Sequence, residues 1–271
     1  MSGRQGPTKV ALVTGGTRRL GFEFSKALVR NGYSVALSYR TSADEAGNAV
    51  DILRKEEGAR VEAFRADFAS DGAPELLFKE IFSSPLFGSS SSSSSASSSA
   101  SSSPKSSSSV PRLHALVHAA SPWIPKPFAS VTLSDWEAIF RSGPRAAFFL
   151  AQAAAPALRA AQGSILLVSD VAAVQAWPTH VPHSAAKAAI NSLVMNLAVA
   201  LGPDVRVNAV APGIVLPPDD MSAEAVAALV AKTPLARRVA VADLMGLSIA
   251  ILENRSMTGQ IVAVDAGRSI V

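Results

Sequence analysis

The strand-like run Val10-Ala11-Leu12-Val13 leads straight into Thr14-Gly15-Gly16-Thr17-Arg18-Arg19-Leu20-Gly21, and an amphipathic segment, residues 22–30, follows at once. Strand, glycine turn and helix in that order form a unit that cradles a dinucleotide phosphate. Glycines let the backbone approach the pyrophosphate, and the helix N-terminus offers unpaired N–H groups and positive dipole potential. Arg18 and Arg19 add charge inside the turn. The same alternation continues along the chain. Apolar, strand-like runs at 10–13, 34–39, 61–66, 115–118, 164–168, 205–210 and 260–264 alternate with helical patterns at 20–30, 43–57, 74–82, 134–161, 183–201, 223–231 and 241–252. This predicts an α/β fold: a Rossmann-type, doubly wound parallel sheet of about seven strands, with helices on both faces.

Composition narrows the partners. The 271 residues suffice for one large domain, and 48% hydrophobic against 17% charged residues describes a globular body. Net charge is +4, but the basic residues are scattered, which argues against a nucleic-acid surface and fits a pocket for a phosphorylated cofactor. With no cysteine, disulfides, thiol catalysis and Cys-ligated metals are excluded. His114 and His118 lie about 13 Å apart along one predicted strand, too far to share an ion; no metal is expected. Residues 1–8 lack the apolar core of a signal peptide. The Ala-rich run 146–161 is interrupted by Gln152, Pro156 and Arg159 and is not read as a membrane span. The expectation is a cytoplasmic protein with no membrane partner.

One segment breaks the alternation. The insert at 88–110 is almost all serine, interrupted by Ala96, Ala100, Pro104 and Lys105. It has too little apolar area to bury and is expected to be a disordered surface loop within a single domain, 1–271, because strand–helix alternation resumes after it. Loop-closure cost rises slowly with length, so such an insert is tolerated. A phosphorylated or partner-binding tether is the alternative reading.

Ligands on a doubly wound sheet sit beyond the carboxyl ends of the strands, and the chemistry-bearing residues fall there. After the second strand come Arg40, Thr41 and Ser42, where a carboxylate would bind a ribose 2′-hydroxyl; an arginine with two hydroxyls suits a 2′-phosphate, hence NADPH over NADH. Asp67 and Phe68 follow the third strand, at the adenine. Ala119, Ala120 and Ser121 follow the fourth, and Pro122-Trp123 comes next. Ser169-Asp170 follows the fifth. His183 and Lys187, four apart, share one face of the next helix. Pro212, Gly213 and Ile214 turn toward the cofactor after the sixth strand.

These motifs, in this order, resemble the short-chain dehydrogenase/reductase family over nearly the whole chain outside the serine insert. Within it the chain most resembles the pteridine reductases. Arg19 precedes Leu20-Gly21 where most members have glycine; Asp170 stands at the usual catalytic serine; and Trp123 lies two residues after Ser121, where an aromatic stacks a pterin against the nicotinamide. The resemblance implies NADPH as cofactor, held by Gly15, Thr17, Arg18, Arg19, Leu20, Gly21, Arg40, Thr41, Ser42, Asp67, Phe68, Ala119, Ala120, Ser121, Ser169, Lys187, Pro212, Gly213 and Ile214. It implies a substrate, a pterin or other flat heterocycle, held by Arg19, Trp123, Asp170 and His183. The catalytic candidates are Asp170, His183 and Lys187, and residues 217–221 form a flexible substrate-side loop. The family also implies a homodimer or homotetramer built on segments 134–161 and 183–201.

The departures are as informative. The family's Tyr-x-x-x-Lys motif has His183 in place of its tyrosine, and the only tyrosines, Tyr33 and Tyr39, lie in the first βαβ unit. The family's helix asparagine falls at Gly143, and its Asn-Asn-Ala-Gly stretch reads His118-Ala119-Ala120-Ser121. In one reading His183 is a substitute acid, its imidazolium favoured by Asp170 and disfavoured by Lys187. In another the site has decayed and the protein is an NADPH-binding or interaction protein. A third, a ketoacyl-type carbonyl reductase, is weakened because the usual Ser and Tyr donors to a carbonyl oxygen are both missing.

Overall fold

A computed structural model describes residues 9–56, 58–87 and 110–271. Seven strands form one sheet: β1 Lys9–Thr14, β2 Tyr33–Tyr39, β3 Val61–Arg65, β4 Ala115–His118, β5 Ser164–Val168, β6 Arg206–Pro212 and β7 Ile261–Val264. Every pairing is parallel and the order is β3-β2-β1-β4-β5-β6-β7. The central strands are apolar on both sides, as a sheet covered on both faces requires; β5, Ser164-Ile-Leu-Leu-Val168, is buried along its whole length. Helices α1 Arg19–Arg30, α2 Ala43–Leu53 and α8 Val241–Glu253 cover one face through Phe24, Leu28, Leu53, Leu244 and Ile251. On the other face lie α3 Ala73–Ser83, α5 Ala146–Ala161 and α6 Val181–Leu201, packed through Leu77, Ile81, Leu150, Leu158, Ile190 and Val194. Two further helices are α4 Leu133–Phe140 and α7 Ala223–Val230.

Three expectations are corrected. The predicted continuous helix 134–161 is broken: α4 and α5 are joined by a π-helical turn, Arg141–Arg145, with Gly143 at φ −93°, ψ −107°. Pro144 cannot donate a helical hydrogen bond, and glycine beside it admits the departure from helical backbone. The second predicted helix stops at Leu53, and the chain turns at 54–56 before β3. Finally, no apolar stretch was expected to look like a membrane span, but α6 is long and apolar enough by length and composition to cross one. Here it lies against β6 and turns Ile190, Val194 and Leu197 into the core. The serine insert lies outside the described residues apart from Val110 at its end.

The strand order reverses between β1 and β4. Loops leaving the carboxyl ends of these two strands diverge, and a crevice opens between them.

Candidate active site

Every cofactor, catalytic and substrate residue expected from the sequence lines one cleft of about 1010 Å³ at this crevice. At its centre the glycine turn is packed with no room for side chains. A Cβ on Gly21 would stand 2.0 Å from the Gly15 carbonyl oxygen, and one on Gly213 would stand 2.7 Å from Cα of Asp265. Gly15 has φ +63° and lies against Ala120, so the turn after β1 abuts the segment after β4. This close packing brings backbone N–H groups at the start of α1 to the cleft, the cradle a pyrophosphate needs. Arg18 and Arg40 stand exposed on the rim, and Ser42 caps α2 by accepting from the Glu45 N–H. Glu45, which sequence reasoning missed, also faces the cleft and pairs with Arg18 at 3.5 Å. Asp67 accepts from the Ala69 N–H, which fixes its carboxylate in the loop after β3.

The floor of the cleft is formed where β5 meets α6. His183 is only 4% exposed, and its Nε2 lies 3.4 Å from Asp170 Oδ2. His183 Nδ1 has no hydrogen-bond partner among the described residues. One helical turn on, Lys187 is 8% exposed and its Nζ donates to the Val168 carbonyl at 2.7 Å. Burial weakens the hold of Lys187 on its proton, and the negative charge of Asp170 partly opposes this. The Ser169 hydroxyl donates to Asn191 Oδ1, 2.5 Å away, so it turns inward. Trp123 stands over this floor, 42% exposed, edge-on to His183 with ring centroids 4.9 Å apart.

A hydrogen-bond chain ties the cradle to the broken helix. His118, at the end of β4, is buried, and burial pushes its pKa down to about 4, so the ring is neutral near pH 7. Its Nε2–H donates to the Gly143 carbonyl at 3.2 Å. Its Nδ1 therefore accepts from the Thr14 hydroxyl at 2.8 Å, and Thr14 Oγ1 in turn accepts from the N–H groups of Ala119 and Ala120. The histidine that replaces the first asparagine of the family pattern thus bridges β1, β4 and the kink. The apolar run of β4 ending in a polar residue was the only sequence signal for this role. His114, the other strand histidine, accepts from the Val10 N–H at 3.0 Å.

Two further features escaped sequence reasoning. Arg19 sits at φ +49°, a left-handed conformation that favours glycine. Its guanidinium donates to the carbonyls of Leu216 (2.5 Å) and Pro217 (3.0 Å) and reaches Asp219 at 3.4 Å, so the expected flexible loop is fastened to the glycine turn. Trp177, His180 and Arg268 also line the cleft. Tyr39 does as well, but at the end of β2, on the opposite side of β1 from β5, after which Asp170 comes.

Residues 9–84 match the family model described as short chain dehydrogenase, and residues 94–269 match the one described as Enoyl-(Acyl carrier protein) reductase. The chain belongs to the short-chain dehydrogenase/reductase family. A hydroxynaphthalene reductase-like protein of Metarhizium guizhouense is 32% identical over 207 residues, 76% of this chain and 67% of that protein. A tropinone reductase homolog of Datura stramonium is 28% identical over 271 residues, 96% and 91% of the two chains. Among solved structures, an alternative dihydrofolate reductase of Brucella canis complexed with NADP matches at TM-score 0.82 and 25% identity, covering 97% of this chain and 94% of that one. A blue fluorescent protein from a metagenomic library, in complex with NADPH, matches at TM-score 0.78 and 25% identity over 96% and 97%. These relatives carry names that point to unlike substrates, while two of them hold the same dinucleotide. Membership of the short-chain family therefore speaks for oxidoreductase chemistry and for the cofactor half of the cleft.

Proposed function

We propose that this short-chain oxidoreductase reduces a pterin-like ring with NADPH, using His183 and Asp170 to deliver the proton. One observation carries the reading: the Asp170–His183 contact lies on the cleft floor beneath Trp123, one helical turn from Lys187, in the same cleft as the glycine cradle. Reducing a ring C=N bond takes a hydride on carbon and a proton on nitrogen. When bound, NADPH supplies the hydride and leaves as NADP⁺. The start of α1 would hold the pyrophosphate, Arg18 and Arg40 the 2′-phosphate, and Lys187 the hydroxyls of the nicotinamide ribose. Trp123 gives a flat conjugated ring a face to pack on. The His183–Asp170 pair, Nε2 against Oδ2 on the cleft floor, delivers the proton to the ring nitrogen, and solvent restores it through the open cleft. Arg19 adds positive charge beside the ring and the phosphates.

Replacing His183 by alanine is expected to lower kcat for NADPH oxidation with dihydrobiopterin by about 10²–10⁴-fold while leaving NADPH binding intact. An unchanged rate would assign the proton to another group. In a second reading the protein binds NADPH without turning it over. The specific support is that both tyrosines belong to β2, so none stands at β5 or α6. Cofactor choice is common to both readings. Arg40→Ala should erode the preference for NADPH over NADH by about 10-fold or more, the worth of one charge-assisted phosphate contact; equal affinity for both dinucleotides in the unaltered protein would remove the role assigned to Arg40.

A further inference from the structure

Trp123 stands over the reaction floor on a segment with no regular structure of its own, Ser121-Pro122-Trp123-Ile124-Pro125-Lys126-Pro127. Pro122, Pro125 and Pro127 contribute no N–H and fix φ, which keeps this stretch out of helix and sheet. Its upstream end is set at the close of β4, where the N–H groups of Ala119 and Ala120 donate to Thr14 Oγ1. From 121 to 126 the backbone makes one hydrogen bond among the described residues: the Lys126 N–H donates to the Thr179 carbonyl at 2.9 Å. That bond ties the segment to the loop carrying His180, whose ring meets Trp123 with centroids 4.5 Å apart. The Lys126 side chain fastens the downstream end. Its Nζ donates to both carboxylate oxygens of Asp135, each at 2.7 Å. This carboxylate is itself fixed in the capping box of α4, its Oδ2 accepting from the Thr132 N–H at 2.9 Å and from the Thr132 hydroxyl at 2.6 Å. The Lys126 ammonium and the two Thr132 donors hold the Asp135 carboxyl down to about 2, so the pair stays charged through the neutral range. An ion pair on an ordinary surface stabilises little. This one closes a segment whose own backbone is almost unbonded, and neither partner lines the cleft.

We infer that Lys126 is a positioning residue: locked to the cap of α4 through Asp135, it holds the proline segment in place and so sets Trp123 edge-on to His183. This rests on the ring-reductase reading only for what packs on Trp123. The placement of the indole is independent of that reading.

Fluorine NMR of the full chain labelled with 5-fluorotryptophan reads that placement directly, each signal being assigned with Trp123→Phe, Trp136→Phe or Trp177→Phe. In Lys126→Met, which leaves the capping box intact, the Trp123 signal should move toward that of free 5-fluorotryptophan. Lys126→Arg, which keeps the ion pair, should restore it. Asp135→Asn, whose side-chain oxygen still accepts from Thr132, should move the signal in the same direction as Lys126→Met. Circular dichroism confirms that each variant folds. In the NADPH-loaded protein, kcat/KM with dihydrobiopterin should fall about 10-fold or more in Lys126→Met, the cost of a displaced contact surface, with NADPH affinity unchanged. A Trp123 signal that stays in place in both Lys126→Met and Asp135→Asn overturns the role of Lys126 and leaves the ring reading standing. A signal that moves in both and is restored by Lys126→Arg, in a protein that turns over no pterin, upholds the clamp and removes the ring reading.

Discussion

His118 is neutral in the folded protein because burial disfavours its imidazolium, while in the unfolded chain it titrates near the usual histidine value, 6.5. A base whose folded pKa is depressed to about 4 contributes stability that is fully present above 6.5 and is lost as pH falls from there toward 4. The loss across this window is roughly 3 kcal/mol. Urea unfolding between pH 7 and 4.5 should show it, and His118→Asn should flatten the dependence; parallel curves for the two proteins would remove His118 from this role. Arg19 is the second residue whose conformation and contacts diverge in purpose. Its left-handed backbone costs about 1 kcal/mol relative to glycine, yet its guanidinium fastens the loop at 216–219. Arg19→Gly is expected to leave global stability within about 1 kcal/mol of the unaltered protein while weakening substrate. Global destabilisation well beyond that would show that the side chain holds the fold and not the loop.

Among the elements, the loop freed by Arg19→Gly should exchange the amide hydrogens of Leu216, Asp219, Asp220 and Met221 faster than in the unaltered protein, with the sheet core unchanged. Unaltered exchange there would mean that the loop is held by packing alone. What was legible in the sequence follows the same division. Strand positions were readable because buried parallel strands are apolar throughout, and β4 and β5 fell on the expected residues. The helix caps were not read: Ser42, which caps α2, figured only as a phosphate-side hydroxyl, and Thr132, which caps α4 in a box with Asp135, was not singled out. The break at Gly143 was not legible either, because the apolar helical pattern continues on both sides of it and only the Gly-Pro pair marks it. Cleft residues that follow strand ends were found from sequence. Trp177 and His180 were missed because they lie in a loop several residues past the end of β5, and Arg268 because nothing local to it signals that it meets that loop from beyond β7.

The whole molecule leaves a large apolar surface on the helices next to the kink. Trp136 on α4, Phe148 and Phe149 on α5, and Met195 and Val199 on α6 are exposed, the last of these by 84%. The segments expected to build a dimer or tetramer are the ones that carry this surface, and exposed apolar area of this kind marks an association site. The protein is expected to run as a dimer or tetramer in light scattering, and Val199→Glu with Met195→Lys to shift it toward monomer. A monomer at micromolar concentration would place the role of these faces elsewhere. With no tyrosine at β5 or α6, proton delivery falls to His183 against Asp170. NADPH oxidation by the purified protein with dihydrobiopterin, set beside His183→Ala and Asp170→Asn under conditions where all three bind NADPH, decides the matter. The unaltered protein should turn over and each variant should fall by about 10²-fold or more. NADPH bound without turnover by the unaltered protein, or equal rates in all three, would mean that this pair does not deliver the proton.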